Sequence, residues 1–140
     1  AVHAGRRGVV AGVVAAAVEA MAAQGARREE LRAVVGPAIC GDCYEVPAEL
    51  AGEVERAVPG TRSTTSWGTD SLDLPRAVER QLRAAGLREV DVLHLCTWAD
   101  TRFFSHRGHL AQGRAAGRTA AVVRRVQGVS PLPGEHAGVA

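Results

Sequence analysis

Val2-His3-Ala4-Gly5-Arg6-Arg7-Gly8, followed at once by the apolar run 9–24, is where a reading of the fold has to start. Val2-His3 reads as the end of a strand. Gly5 and Gly8 permit a tight turn with close backbone approach to a ligand, and the Ala- and Val-rich run that follows contains no proline. It reads as one helix closed at Gly25, where a C-cap falls, and it is apolar almost all round, which predicts burial on most faces. A helix starting at Val9 offers unpaired N–H groups and a positive dipole end to an anion, and Arg6 and Arg7 add guanidinium forks suited to phosphate or carboxylate. His3 suits a metal ligand or a general base. The alternative is a surface histidine beside two solvated arginines, and spacing alone favours that alternative.

Downstream, residues 31–35 form a short apolar run ended by Gly36-Pro37 and read as an interior strand. Residues 36–46 are turn-rich. The segment 47–58 suits a helix with Pro47 in its first turn, and Pro59-Gly60 ends it. The polar stretch 61–69 reads as a loop, and Asp73 can cap a helix whose apolar positions Ala77, Val78, Leu82 and Ala85 fall at helical spacing before Gly86. Val90, Val92, Leu93 and Leu95 read as a strand. Residues 118–126 end the fold as a strand or helix, with β-branched Thr119, Val122 and Val123 favouring strand. Residues 128–140 read as a loose tail, which leaves one domain over 1–127. The fold class expected is α+β, a mixed β-sheet flanked by helices.

The length of 140 residues is enough for one core and too short for two domains. A net charge of +2 argues against nucleic acid or an anionic membrane as partner. All 17 basic residues are arginine, which reflects coding bias better than a functional choice. Three cysteines are an odd number without the look of a disulfide framework, so a reducing cytoplasm is expected. Arg6-Arg7 before an apolar stretch imitates a twin-arginine export signal, but Glu19 and Gln24 follow at once and the stretch is too short to span a bilayer. The chain does not begin with Met and opens inside its most distinctive motif, so it reads as a fragment, incomplete at its N-terminus.

Two further constellations bear on chemistry. Cys40-x-x-Cys43 admits a redox pair, but Tyr44-Glu45-Val46-Pro47 looks extended where such a pair needs a helix. It also admits a structural zinc site, for which His94 and Cys96 are the candidate partners by type, or two small thiols buried in a turn, the reading preferred here. Cys96-Thr97-Trp98 and Phe103-Phe104-Ser105-His106-Arg107 gather aromatics beside Ser, His and Arg. That suits a pocket for a planar ring such as a purine, and equally a satellite core cluster; a Cys–His hydrolase is also conceivable.

Three segments in register resemble one family. His3-Ala-Gly-Arg-Arg-Gly8 is similar to the His-Ala-Gly-Trp-Arg-Gly motif of the laccase-domain family (YfiH-type, multicopper polyphenol oxidase-like). Gly36-Pro-Ala-Ile-Cys-Gly-Asp-Cys-Tyr-Glu-Val46 resembles its Gly-Pro-Ala-Ile segment ending in Cys-Tyr-Glu-Val, and Cys96-Thr-Trp98, Phe103 to Arg107 and Gly117-Arg118 resemble its C-terminal signature. Family members are roughly twice as long, so the resemblance covers their C-terminal part.

The resemblance implies a zinc-dependent purine nucleoside enzyme. It would carry out phosphorolysis of adenosine, inosine and S-methyl-5′-thioadenosine to base plus (methylthio)ribose 1-phosphate, with adenosine deamination; copper-dependent polyphenol oxidation is the family's older label. His3 matches one of three metal ligands, and the other two, a histidine and a cysteine, fall upstream of Ala1. The chain alone is therefore expected to be inactive. Arg7 is assigned to the phosphate or ribose side. Arg6 stands where the family usually has Trp, and His106 where it usually has Tyr. A purine nucleoside and phosphate are the implied partners, and a homodimer is compatible with the resemblance.

Overall fold

The computed structural model describes residues 1–124. Residues 1–5 are irregular rather than strand, so His3 sits on an open segment. The expected single helix is two: α1 spans Arg6–Val10 and α2 spans Val13–Ala23. The break falls at Gly12, whose φ of 79° lies in the left-handed region that glycine alone enters without cost. Burial is also one-sided. Val9, Val14 and Val18 are buried, whereas Val10 and Met21 are 41% and 51% exposed, because among the described residues nothing covers the second face of the run.

Strand β1 (Arg32–Val35) pairs in parallel with β4 (Glu89–Val92), in the register Arg32↔Glu89 to Val35↔Val92. Ala33, Val35, Val90 and Val92 face the helices. Val34, at 63% exposed, points the other way, so β1 is interior on one face only. The residues at 61–69 are not simply a loop. β2 (Arg62–Thr64) and β3 (Asp70–Leu72) form an antiparallel hairpin, closed by Thr65 N–H donating to the Thr69 carbonyl at 2.9 Å and clamped by Arg62 on Asp70. Polar composition hid it, although threonine is a good strand former. Residues 44–46 lie along β3, with Val46 N–H on the Asp70 carbonyl and Leu72 N–H on that of Tyr44.

Helix α3 (Ala48–Ala57) follows Pro47 as expected, and α4 (Leu74–Ala84) is capped by the Asp73 carboxylate, which accepts the Arg76 N–H at 3.0 Å. α4 holds the molecule together, since Val78 packs against both core clusters. One comprises Val9, Val46, Ala51, Val54, Leu72, Leu74 and Ala77; the other comprises Val18, Val35, Leu87 and Val90. A last helix, α5 (His106–Gln112), begins inside the aromatic segment, for which the sequence suggested no element. Ser105 Oγ caps it by accepting the Gly108 N–H, and Gly113 ends it.

Residues 118–124 are neither strand nor helix, contrary to expectation: with small and charged residues on both sides, the β-branched positions there have no sheet to join. The remainder of that segment and the proposed tail 128–140 lie outside the described residues. The architecture is the expected mixture of helices and small sheets. No helix among the described residues is long and apolar enough to cross a membrane.

Candidate functional site

The opening turn is built by Gly5, which caps α1 from an extended conformation, and by Val9, whose fully buried side chain anchors the turn to the core. His3 is exposed, and its ring folds over Gly5: a Cβ placed there would lie 2.8 Å from Nε2. α1 starts at Arg6, three residues earlier than expected, and lasts five residues, so its dipole is short and the anion-binding case falls on the arginine side chains themselves. Arg6 and Arg7 line a hollow of about 220 Å³ with Leu50 and Glu53 of α3. Among the described residues neither guanidinium makes a hydrogen bond or ion pair, and no metal-competent group of three or more side chains includes His3.

The cysteines behave differently. Cys40 and Cys43 lie in a tight turn in which the Cys40 carbonyl accepts the N–H groups of both Cys43, at 3.1 Å, and Tyr44, at 2.9 Å. Cys96 joins them from 56 residues away, with the Cys40 N–H donating to its sulfur at 3.5 Å. The three Sγ atoms all lie within 4.8 Å of one another, each side chain being half-buried. What brings them together is the parallel ladder continued past its strands: Ala38 N–H donates to the Leu95 carbonyl and Thr97 N–H to that of Ala38. From Val35↔Val92 to Ala38↔Cys96 there are three steps on one side and four on the other. His94, in the left-handed region with a φ of 51°, accommodates the extra residue.

Burial pushes the Cys40 thiol up to about 12, with the Cys96 and Cys43 sulfurs adding to the effect, and burial raises Cys43 as well. Burial opposes ionisation of Cys96 too, but there the N–H groups of Cys40, Ala99 and Trp98 and the Cys40 thiol outweigh it, and the thiol falls below its ordinary value. Cys96 is thus the most readily ionised of the three sulfurs. The group could bind a metal ion through Cys40, Cys43 and Cys96, whereas His94 stands outside it. His94 does line, with Cys40, Asp42, Asp73, Arg76 and Cys96, a cleft of about 440 Å³, ample for a small ligand.

The aromatic segment is structural in part. Ser105 is committed as a helix cap, and Arg107 donates to the Glu45 carbonyl at 2.7 Å while lying 5.0 Å over the Tyr44 ring. His106 is exposed, and no hydrogen bond joins a cysteine to a histidine among the described residues. Sequence reading passed over Arg114, which grips the loop through the carbonyls of Trp98 at 2.9 Å and Phe103 at 3.1 Å. An arginine in a polar stretch gives no signal of carbonyl partners eleven to seventeen residues away.

Comparison with known proteins matches residues 1–125 to the family described as multi-copper polyphenol oxidoreductase laccase. A Streptomyces griseus protein named purine nucleoside phosphorylase is 51% identical over 117 residues, covering 84% of this chain and 48% of that protein. A Mycobacterium tuberculosis H37Rv protein of the same name is 48% identical over 116 residues, covering 83% and 46%. A Deinococcus radiodurans one is 36% identical over 123 residues, covering 88% and 47%. The chain spans about half the length of the curated relatives it matches. The crystal structure of Bacillus licheniformis hypothetical protein YfiH superposes with a TM-score of 0.63 at 30% identity, covering 75% of this chain and 42% of that one.

Proposed function

This chain belongs to the multi-copper polyphenol oxidoreductase laccase family, and from that footing we propose that it forms the His3–Arg7 side of a purine nucleoside phosphorylase. The reading is carried by one observation: the same turn leaves the His3 and Arg7 side chains exposed and, among the described residues, without a hydrogen-bond partner, in a chain 51% identical to a protein of that name. Phosphate attacks C1′ of the ribosyl group of adenosine, inosine or S-methyl-5′-thioadenosine. The C1′–N9 bond breaks, and the base leaves with the electron pair and takes up a proton. Arg7 holds the phosphate through its guanidinium fork.

His3 supplies one zinc ligand, with the other two upstream of Ala1 as the family resemblance implies; it fits that role in being exposed and in having no hydrogen-bond partner among the described residues. Zinc there supplies Lewis-acid polarisation suited to the deamination of adenosine. The working environment proposed is the cytoplasm, with neither nucleic acid nor membrane as partner, and the assembly compatible with the reading is a homodimer.

The test is base release by the natural protein from adenosine or inosine, with and without phosphate. Phosphate-dependent appearance of ribose 1-phosphate is expected. His3→Ala should abolish it, and Arg7→Ala should raise the KM for phosphate at least tenfold, about 1.4 kcal/mol. Full activity in His3→Ala overturns the role given to His3. The second reading, copper-dependent phenol oxidation, follows the family description. It requires several bound coppers and phenol turnover without phosphate; five histidines scattered at 3, 94, 106, 109 and 136 favour the first reading.

A further inference from the structure

We propose that Cys40, Cys43 and Cys96 form a thiolate metal site, separate from His3, that holds one thiophilic ion, zinc or monovalent copper, and ties the 36–46 turn to the loop after β4. The donor set decides the class of ion. It contains three sulfurs and neither imidazole nor carboxylate, which excludes hard cations such as calcium and magnesium and selects soft or borderline ions. The spacing agrees. Two sulfurs each about 2.3 Å from one ion are about 3.8 Å apart in tetrahedral geometry and at most about 4.6 Å. The three Sγ atoms, all within 4.8 Å of one another, need only small side-chain rotations to reach those values.

The backbone is arranged for ligation rather than for packing alone. Cys-x-x-Cys in a tight turn presents both sulfurs on one side, and the turn is closed by two N–H groups on the Cys40 carbonyl. The Cys40 N–H then points at the Cys96 sulfur, an interaction suited to a ligating thiolate. The left-handed residue His94 sets the register that delivers Cys96. Monovalent copper is complete with three such ligands. Zinc takes a fourth, from water or from a molecule in the adjoining cleft.

The experiment counts thiols by mass spectrometry after brief alkylation of the reduced natural protein, first stripped with a chelator and then supplied with one equivalent of Zn2+ or, anaerobically, Cu+. Expected is protection of Cys40, Cys43 and Cys96 together, slowed at least tenfold by one of the two ions, in wild-type protein and equally in His3→Ala. The ion that protects at the lower free concentration identifies the site. In Cys96→Ser the apparent affinity should fall at least tenfold; if that variant does not fold, the wild-type protection pattern decides. Unchanged alkylation of all three thiols by both ions overturns the proposal, as does a Cys40–Cys43 disulfide in freshly isolated protein. Because the readout is thiol protection, it is indifferent to whether nucleosides are turned over.

Discussion

The His3 turn and the cysteine group both carry potential metal donors and are built in opposite ways. His3 lies in a recognisable run of local sequence, yet its ring is exposed and no group of three potential ligands includes it among the described residues. The cysteines lie in two segments that say little separately, yet three sulfurs converge because a parallel ladder runs on past its strands. A motif records what a site must contain, whereas a ladder records what the fold has already assembled. The two regions nonetheless share one support. Val9 behind the His3 turn and Leu72 behind the Tyr44 carbonyl belong to the same core cluster.

That shared support can be broken directly. Leu72 is fully buried, and Leu72→Ala should cost about 3 kcal/mol, read by urea denaturation. If the core is common, thiol accessibility and exposure of the 1–12 segment, followed by hydrogen exchange, rise together with the same apparent free energy. Independent melting of the two regions would show that they are separate foldons.

The next test separates them by a matched pair of glycines. A Cβ at Gly41 would lie 3.0 Å from Asp73 Cβ and 3.1 Å from Ser63 Oγ, groups fixed by a helix cap and a hairpin. Gly41→Ala should therefore cost about 1–3 kcal/mol by overpacking and weaken metal protection of the thiols. The three atoms nearest a Cβ at Gly5 all belong to the exposed His3 ring, which can swing into solvent. Gly5→Ala should change stability by less than about 0.5 kcal/mol and still lower nucleoside turnover. Equal stability losses from the two variants would end the contrast between an assembled and an open region.

How much of this was legible in the sequence follows the same division. α3, α4 with its Asp73 cap, β1 and β4 were readable because caps, breakers and periodicity are local. The split at Gly12 and the 62–72 hairpin were missed because one glycine tolerates either conformation and a run of Thr and Ser looks like loop until its strand partner is known. Of the candidate site, His3 and Arg7 stood out by motif. The convergence of Cys96 on Cys40 and Cys43 depends on a one-residue bulge at His94, which no spacing rule reveals.

A smaller effect tests how finished the packing is around the cysteine turn. Ser71 is fully buried on β3, paired with Glu45, and its Oγ has no hydrogen-bond partner among the described residues. A buried hydroxyl without a partner is a net cost, so Ser71→Ala should raise stability by about 1 kcal/mol in chemical denaturation. Destabilisation of that size instead would mean the hydroxyl is satisfied in solution, and the hairpin beside the turn would count as a polar site.

The smallest expected effect concerns acid. The Glu55 carboxylate accepts the N–H groups of Gly60 at 2.7 Å and Arg62 at 2.8 Å, where the chain enters the hairpin that meets Gly41 through Ser63. Its pKa lies below the ordinary carboxylate value, chiefly through the Arg62 N–H and then that of Gly60, with burial opposing them. A carboxyl depressed in the folded state stabilises above its unfolded value, and that contribution is lost as pH falls through the folded one. Wild-type protein should thus melt higher than Glu55→Gln at about pH 6, with the gap closing toward about pH 3 as both carry a neutral side chain. The His3 turn has no such carboxylate among its described hydrogen bonds, so hydrogen exchange there should be indifferent to the substitution. A gap that persists unchanged at low pH would assign the effect of Glu55 to side-chain packing rather than to its charge.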